Sequence, residues 1–399
     1  MDDRRDVVVV GGGPAGAATA VFLRQQGHDV LLLDQARFPR DKVCGEGVSP
    51  EAWRLLRAMG AAEAVRGLGA QPLLGMTLVS PDGTTFRGQY GGSRAGFAAP
   101  RATLDEALLG CARTAGVEVR EGVRATALLR ARDGRVDGVA VENGHGPAPI
   151  RARLVVGADG RRSVVARGLG LLREHPRWRK FAVRGYWQGV EELTSFGEMH
   201  VGGGGYCGLA PLSSTRANVT FVLDRREMAA AAGDLDAFYR ESLRRRWPRL
   251  AERLQRATLR EPPRAVGPLA LEARRVSAPG ALLVGDAAGF YDPFTGEGVT
   301  LALRSAELAG RVADRSLRAE RLPGDLSAYD RQRRTCTRHK FRFNRLLQRV
   351  VAWPELADAV ARRLARRGDL ADELVGIAGD FVPAQRALRP GFLWQLLTS

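Results

Sequence analysis

The run Asp6–Val10 leads straight into Gly11-Gly12-Gly13-Pro14-Ala15-Gly16, and a second apolar run, His28–Asp34, follows one helix later. Nothing else in the chain constrains the fold as tightly. A strand with no polar face is covered on both sides, as in a parallel sheet. Gly11-x-Gly13-x-x-Gly16, after a strand and before a helix, makes a turn too tight for side chains, so a pyrophosphate can rest on the helix N-terminus. The pattern predicts a helix over Pro14–Gln26 with Gly27 as its stop. Asp34, ending the second strand, is placed for the ribose hydroxyls of a dinucleotide.

A second element narrows the ligand. Leu282–Gly298 reads LLVGDAAGFYDPFTGEG: a strand ending in Gly285-Asp286, a turn through Pro293, then Gly296-Glu297-Gly298 opening a new helix. A nicotinamide enzyme has no use for it. A flavin enzyme does, because a carboxylate can anchor a ribityl chain and a helix N-terminus can face the negative edge of a reduced isoalloxazine. The pair reads as FAD. Gly203-x-Gly205-x-x-Gly208 matches the same glycine spacing, but Leu209-Ala210-Pro211 follows and opens no helix. It is rejected as a nucleotide site and expected instead to form a small-residue floor for a flat ligand.

The remaining pattern predicts an α/β protein: a discontinuous Rossmann-type FAD-binding domain, an inserted β-sheet substrate domain and a C-terminal helical cap. The expected division gives 1–75, 98–178 and 267–325 to the FAD-binding domain, 76–97 and 179–266 to the substrate domain, and 326–399 to the cap. Val117–Arg120, Ala125–Arg130 and Val136–Val141 read as an antiparallel meander turning at Asp133-Gly134. Near the end, apolar positions Leu346, Val350, Leu356, Val360 and Leu364 recur at helical spacing around a break at Trp353-Pro354. Their arginine-rich opposite face reads as solvated, with a lid or a peripheral membrane contact, anchored by Phe392–Leu397, as the sharper alternatives.

The formal charge is +17, yet all but three of the 61 basic residues are arginine. That bias follows from a GC-rich genome, and the arginines lack the stripe with interleaved aromatics of a nucleic-acid surface. No nucleic acid is expected as partner; an acidic carrier protein stays open. Histidine and cysteine spacings offer no metal site. The start, MDDRRDVVVV, has no room for a leader, so a cytoplasmic location, membrane-peripheral at most, is expected.

Gly11–Gly16, Arg101, Gly157–Gly160 and Gly285–Gly298, in this order, resemble the three fingerprints of the para-hydroxybenzoate-hydroxylase-like flavoproteins. Lys42-Val43-Cys44-Gly45-Glu46-Gly47 and Asp292-Pro293-Phe294-Thr295-Gly296-Glu297-Gly298 most resemble the geranylgeranyl reductase branch. The resemblance implies FAD contacts at Gly11, Gly13, Ala15, Gly16, Asp34, Lys42, Arg101, Val123, Asp286, Pro293, Gly296, Gly298 and Val299. It implies that Asp159 supports a site shared with a transient NAD(P)H. The branch often carries Tyr-x-Trp-x-Phe-Pro along its substrate cavity; here the place reads Tyr206-Cys207-Gly208-Leu209-Ala210-Pro211. Tyr206, Cys207, Gly208, Pro211 and Trp187 are the expected pocket residues, with a cavity floor of altered shape.

Cys44, Glu46 and Glu297 are the candidates for delivering a proton, since an acid buried near a flavin can have a raised pKa. The leading expectation is reduction of a carbon–carbon double bond in a small hydrophobic, polyprenyl-like substrate by hydride from flavin N5. The alternatives are a monooxygenase acting through a C4a-hydroperoxide on an aromatic or polyketide-like substrate, and a non-catalytic flavin electron carrier.

Overall fold

The computed structural model describes residues 4–142, 146–174, 179–231, 233–290, 292–319 and 326–397. Tyr291 of the second motif and the boundary expected near residue 325 lie outside the described residues. In the first sheet five strands run parallel in the order Ala281–Leu283, Pro147–Gly157, Arg4–Val10, Val30–Asp34, Glu118–Glu121. Val7, Val8 and Val9 are wholly buried, as a strand without a polar face requires. Helix α1 (Pro14–Gln25) covers one face beside α2 (Arg101–Thr114). The predicted meander is split. Glu118–Glu121 follows α2 and closes a crossover, so it joins the parallel sheet; only Arg124–Arg130 and Val136–Glu142 run antiparallel, onto Pro147–Gly157.

The second sheet orders Lys180–Gln188, Arg216–Asp224, Gly205–Pro211, Phe196–Gly202, Gly75–Val79 and Thr85–Gln89. Its outer face is buried under α3 (Leu235–Arg246) and α4 (Pro248–Arg253), with Trp187, Cys207, Phe221 and Tyr239 in one apolar cluster. Its other face turns toward the FAD-binding domain. The rejected glycine motif is the hairpin between Phe196–Gly202 and Gly205–Pro211, where Gly202, Gly203 and Gly204 all have positive φ. Arg246 packs on it and donates to the Gly203 carbonyl. The expected floor is therefore absent there: those glycines are used in the turn itself, and Gly208 alone of the motif reaches the cavity.

Helix α5 (Gly298–Arg318) packs along α1. It is followed by α6 (Ser327–Ala352), α7 (Pro354–Arg366), α8 (Gly368–Ala378) and α9 (Pro390–Leu397), with the break at Trp353-Pro354. These helices bury Phe343, Leu364, Leu370 and Ile377 around Phe86 of the second sheet. A glycine permits the approach: a Cβ at Gly88 would lie 2.5 Å from the Ala371 carbonyl oxygen of α8. Trp353 and Trp394 stay exposed. Among the described residues no helix is long and apolar enough to cross a membrane.

Candidate active site

A cavity of about 700 Å3 runs from the first glycine loop to the inner face of the second sheet. At its first end the backbone itself is the binding surface. Gly11 has φ +106°, and a Cβ there would sit 2.5 Å from the Ala158 carbonyl oxygen. One on Gly16 would strike the Gly11 carbonyl, so Gly16 shapes the turn from behind and does not line the cavity. Pro14 occupies the first turn of α1, whose free N–H groups favour an anion. Asp34 accepts from Gly12 N at 2.7 Å and Ala36 N at 2.8 Å, which fixes its carboxylate at the strand end. Arg101 lines the cavity beside Gly13 and holds Asp105 through two bonds, 2.7 and 2.6 Å. Arg40, which no motif marked, shares Asp105 at 3.1 Å and reaches the same glycine turn. A dinucleotide fits this cradle: the carboxylate suits a ribose, and the glycine turn with its arginines suits a pyrophosphate.

The middle of the cavity is lined by Ala15, Lys42, Val123, Asp159, Asp286, Pro293, Gly296, Gly298 and Val299. Lys42 lies 3.6 Å from Asp286. Asp159 accepts from Val164 N at 2.7 Å, while its other oxygen, Oδ1, is buried with no partner among the described residues. Burial raises its pKa above the ordinary carboxylate value. The N-terminus of α5 points at this region. Ser49 Oγ and Thr300 Oγ1, 2.7 Å apart, tie the Cys44–Gly47 loop to the first turn of that helix.

Glu46 is the most constrained group in the loop. It is 1 % exposed and sits at φ +62°, a conformation that costs energy for a residue with a Cβ and persists where the surroundings enforce it. Arg101 N (2.9 Å) and Tyr186 Oη donate to Oε1; Asn218 Nδ2 (3.0 Å) donates to Oε2. Burial pushes its pKa up, and these donors only partly offset that. Behind Tyr186, Arg184 lies over the ring at 4.2 Å and pairs with Asp41 at 2.6 Å. Cys44 lines the same stretch and its Sγ accepts from Glu46 N at 3.3 Å. Tyr186, Asn218 and Arg184 belong to no motif; only their every-other-residue register on two paired strands would have placed them together.

Strand alternation sorts the expected pocket residues. Tyr206 and Gly208 line the cavity, as does Ala210, so the two positions where the resembling branch has Trp and Phe both face inward here. A Cβ on Gly208 would meet nothing nearer than Met199 Cε at 3.7 Å, an ordinary contact. Cys207 and Trp187 do not belong to the pocket. They lie on the opposite face, with Trp187 Nε1 donating to Tyr239 Oη at 3.1 Å, because successive strand residues point to opposite sides. Pro211 ends its strand outside the cavity. The apolar walls come from Met76, Met199, Leu269, Phe290 and Phe294.

Glu297 is also corrected. It does not line the cavity but lies in a buried cluster behind it. Lys340 of α6 pairs with Glu297 at 2.6 Å and with Asp380 at 3.0 Å; Asn344 Nδ2 donates to Glu297 at 3.2 Å. Burial raises the Glu297 pKa against the pull of Lys340. Being the residue just before α5, it turns inward and ties the Gly296–Gly298 turn to α6. Asp292, at the other end of that turn, is held by Tyr206 Oη (2.6 Å), Gln348 Nε2 (2.9 Å) and Lys180 Nζ (3.3 Å). Among the described residues no group of histidine, cysteine or acidic side chains is arranged to hold a metal ion.

Residues 4–344 match the FAD binding domain family. The chain is 31% identical over 329 residues to a menaquinone reductase of Mycolicibacterium smegmatis, covering 78% of this chain and 77% of that one. It is 30% identical over 337 residues to a digeranylgeranylglycerophospholipid reductase of Methanosarcina mazei, covering 82% and 78%. Among solved structures, a flavoprotein/dehydrogenase from Cytophaga hutchinsonii superposes with a TM-score of 0.84 at 22% identity, covering 94% of this chain and 92% of that one. The flavin-dependent brominase Bmp2 superposes at 0.83 with 19% identity, covering 94% and 93%, a likeness of fold. With its family, its cradle and its cavity in agreement, the chain belongs to the FAD-binding-domain flavoproteins, on their geranylgeranyl reductase branch, and is an FAD-dependent oxidoreductase.

Proposed function

We propose that this enzyme saturates a carbon–carbon double bond in a polyprenyl-type lipid. The observation that carries the reading is Glu46: a carboxyl with raised proton affinity, fixed by three donors, in a cavity that also has an apolar stretch of Met76, Met199, Phe290 and Phe294. Bound FAD supplies the hydride; the protein has to supply a proton at the neighbouring carbon and keep water out. Glu46 holds that proton on a carboxyl oxygen. Tyr186 and Asn218 fix the orientation of the carboxyl, and the Cys44 thiol beside it helps position the substrate carbon. Met76, Met199, Phe290 and Phe294 exclude water, and the small Gly208 and Ala210 leave room for a branched chain. Both named relatives act on lipids that carry prenyl chains, which supports a substrate of that class. NAD(P)H is the proposed source of electrons, meeting the site beside Asp159.

The test is a single turnover under strict anaerobiosis, mixing the FAD-loaded, dithionite-reduced protein with a prenylated naphthoquinone or a geranylgeranyl ether lipid. The expected result is flavin oxidation coupled to a product heavier by two hydrogens in its prenyl chain. A product that forms only when oxygen is admitted, and carries an oxygen atom from it, would replace this reading with hydroxylation. Flavin that reoxidises without changing either lipid would make the protein an electron carrier.

A further inference from the structure

A second cavity, about 370 Å3, shares a short segment with the first: Gly285, Asp286 and Phe290 line the flavin cavity, Ala288 and Gly289 the second. One wall is α6, which contributes Arg333, Arg334, Arg338, Arg342 and Arg345. The facing wall, around the strand Leu271–Ala273, contributes Arg173, Arg274 and Arg275. Two carboxylates share the lining, Glu272 and Asp330. Asp330 accepts from Val276 N at 2.6 Å and from the Ser277 hydroxyl, and its charge acts on Arg333 beside it. Among the described residues, the side chains of Arg173, Arg274, Arg275, Arg334 and Arg342 have neither an ion pair nor a hydrogen bond.

An arginine-rich composition does not by itself produce such a groove. The whole chain has 61 basic against 44 acidic residues, whereas the groove sets eight guanidinium groups against two carboxylates. Elsewhere on the surface arginines find partners, as Arg54 does with Glu307, Arg151 with Asp137 and Arg367 with Asp369. Converging cations with walls of low dielectric focus a positive potential and repel one another until an anion fills the space. The planar guanidinium fork matches phosphate oxygens in pairs. From Arg334 to Arg345 the helix advances about 16 Å at 1.5 Å per residue, farther than one phosphate group reaches.

We propose that this groove binds a ligand carrying two or more phosphate groups, held between α6 and the Leu271–Ala273 strand. The same chemistry is available from a soluble diphosphate or from a diphosphate lipid headgroup. Because its floor is the Ala288–Gly289 backbone, occupancy would be felt at the neighbouring Asp286 and Phe290.

The experiment uses the flavin-loaded protein, so that the glycine-loop cradle is already filled. Inorganic pyrophosphate is titrated calorimetrically at low salt, with orthophosphate as control, and flotation compares cardiolipin with phosphatidylcholine vesicles. Both measurements are repeated on Arg338→Gln/Arg342→Gln and, from the opposite wall, on Arg274→Gln, with flavin content and melting temperature checked against the parent. The expected result is saturable binding that falls at least tenfold in both variants. Pyrophosphate binding tenfold tighter than orthophosphate assigns a soluble ligand; binding to cardiolipin vesicles alone assigns a headgroup. Binding of neither probe, or equal binding by parent and folded variants, overturns the proposal.

Discussion

Glu46 shows how a single residue can be both strained and chemically tuned. Burial raises its affinity for a proton, while the Tyr186, Arg101 and Asn218 donors pull the other way. As a general acid it works only when protonated, so turnover should fall as pH rises through a pKa above the ordinary carboxylate range. Glu46→Gln is expected to lower kcat by about a hundredfold or more and to abolish that basic limb, with FAD content unchanged. Tyr186→Phe removes a donor that favours the charged form, and the limb should move to higher pH. A pH–kcat profile of the three proteins checks this; a limb that Glu46→Gln leaves in place would disqualify Glu46. The sign for stability is the same: the folded state binds this proton more tightly than the unfolded, so the group withdraws stability as pH rises. The sequence made Glu46 a candidate because it stands in a motif. Its partners were out of sight, since Tyr186 and Asn218 meet it from more than a hundred residues away.

At the scale of single elements, the strand Gly205–Pro211 turns different residues to the cavity and to the core beneath α3 and α4. Gly208 and Ala210 face the cavity, Cys207 faces the core under α3 and α4. Gly208→Trp should fill the inner face and raise KM for long prenyl substrates at least tenfold, with flavin spectrum and folding preserved. Cys207→Ala should leave substrate preference alone and cost about 1 kcal/mol of stability, as small core truncations do. Steady-state kinetics on short and long substrates, with urea melts, distinguish the two. If Cys207→Ala shifts the preference instead, the face assignment is wrong. The motif located this strand correctly but not its phase, because a glycine-rich run has no hydrophobic alternation to fix which side is buried. Trp187 likewise carries no local signal of its face, since its partner Tyr239 lies on α3, more than fifty residues along the chain. The opening βαβ unit was legible because turn, helix start and acidic strand end are all local.

Across the whole molecule, Lys340 connects the C-terminal helices to the flavin-binding body through two buried carboxylates, Glu297 and Asp380. Lys340→Met would strand both, and breaking a buried pair from one side costs about 3–5 kcal/mol. That deficit should be largest near pH 8 and shrink toward pH 5, because the buried Glu297 carboxyl, whose pKa burial raises, can take up a proton in the folded state that the unfolded chain holds less tightly. Urea melts at the two pH values measure it; an equal deficit at both would remove the electrostatic account. The sequence showed a helical cap but not this connection. Glu297 stood in a flavin motif and Lys340 in an arginine-rich helix, with no pattern relating them. The turn from Asp292 to Glu297 is in fact latched from both sides, by Tyr206 and Lys180 on one and by Lys340, Asn344 and Gln348 on the other. On the ribosome these arrive at different times. The glycine cradle and its arginines are complete once α5 has emerged, while the turn has half its latch until α6 follows. A nascent chain therefore has the glycine cradle, with its carboxylate and arginines, in place while the turn from Asp292 to Glu297 still lacks the contacts that α6 brings.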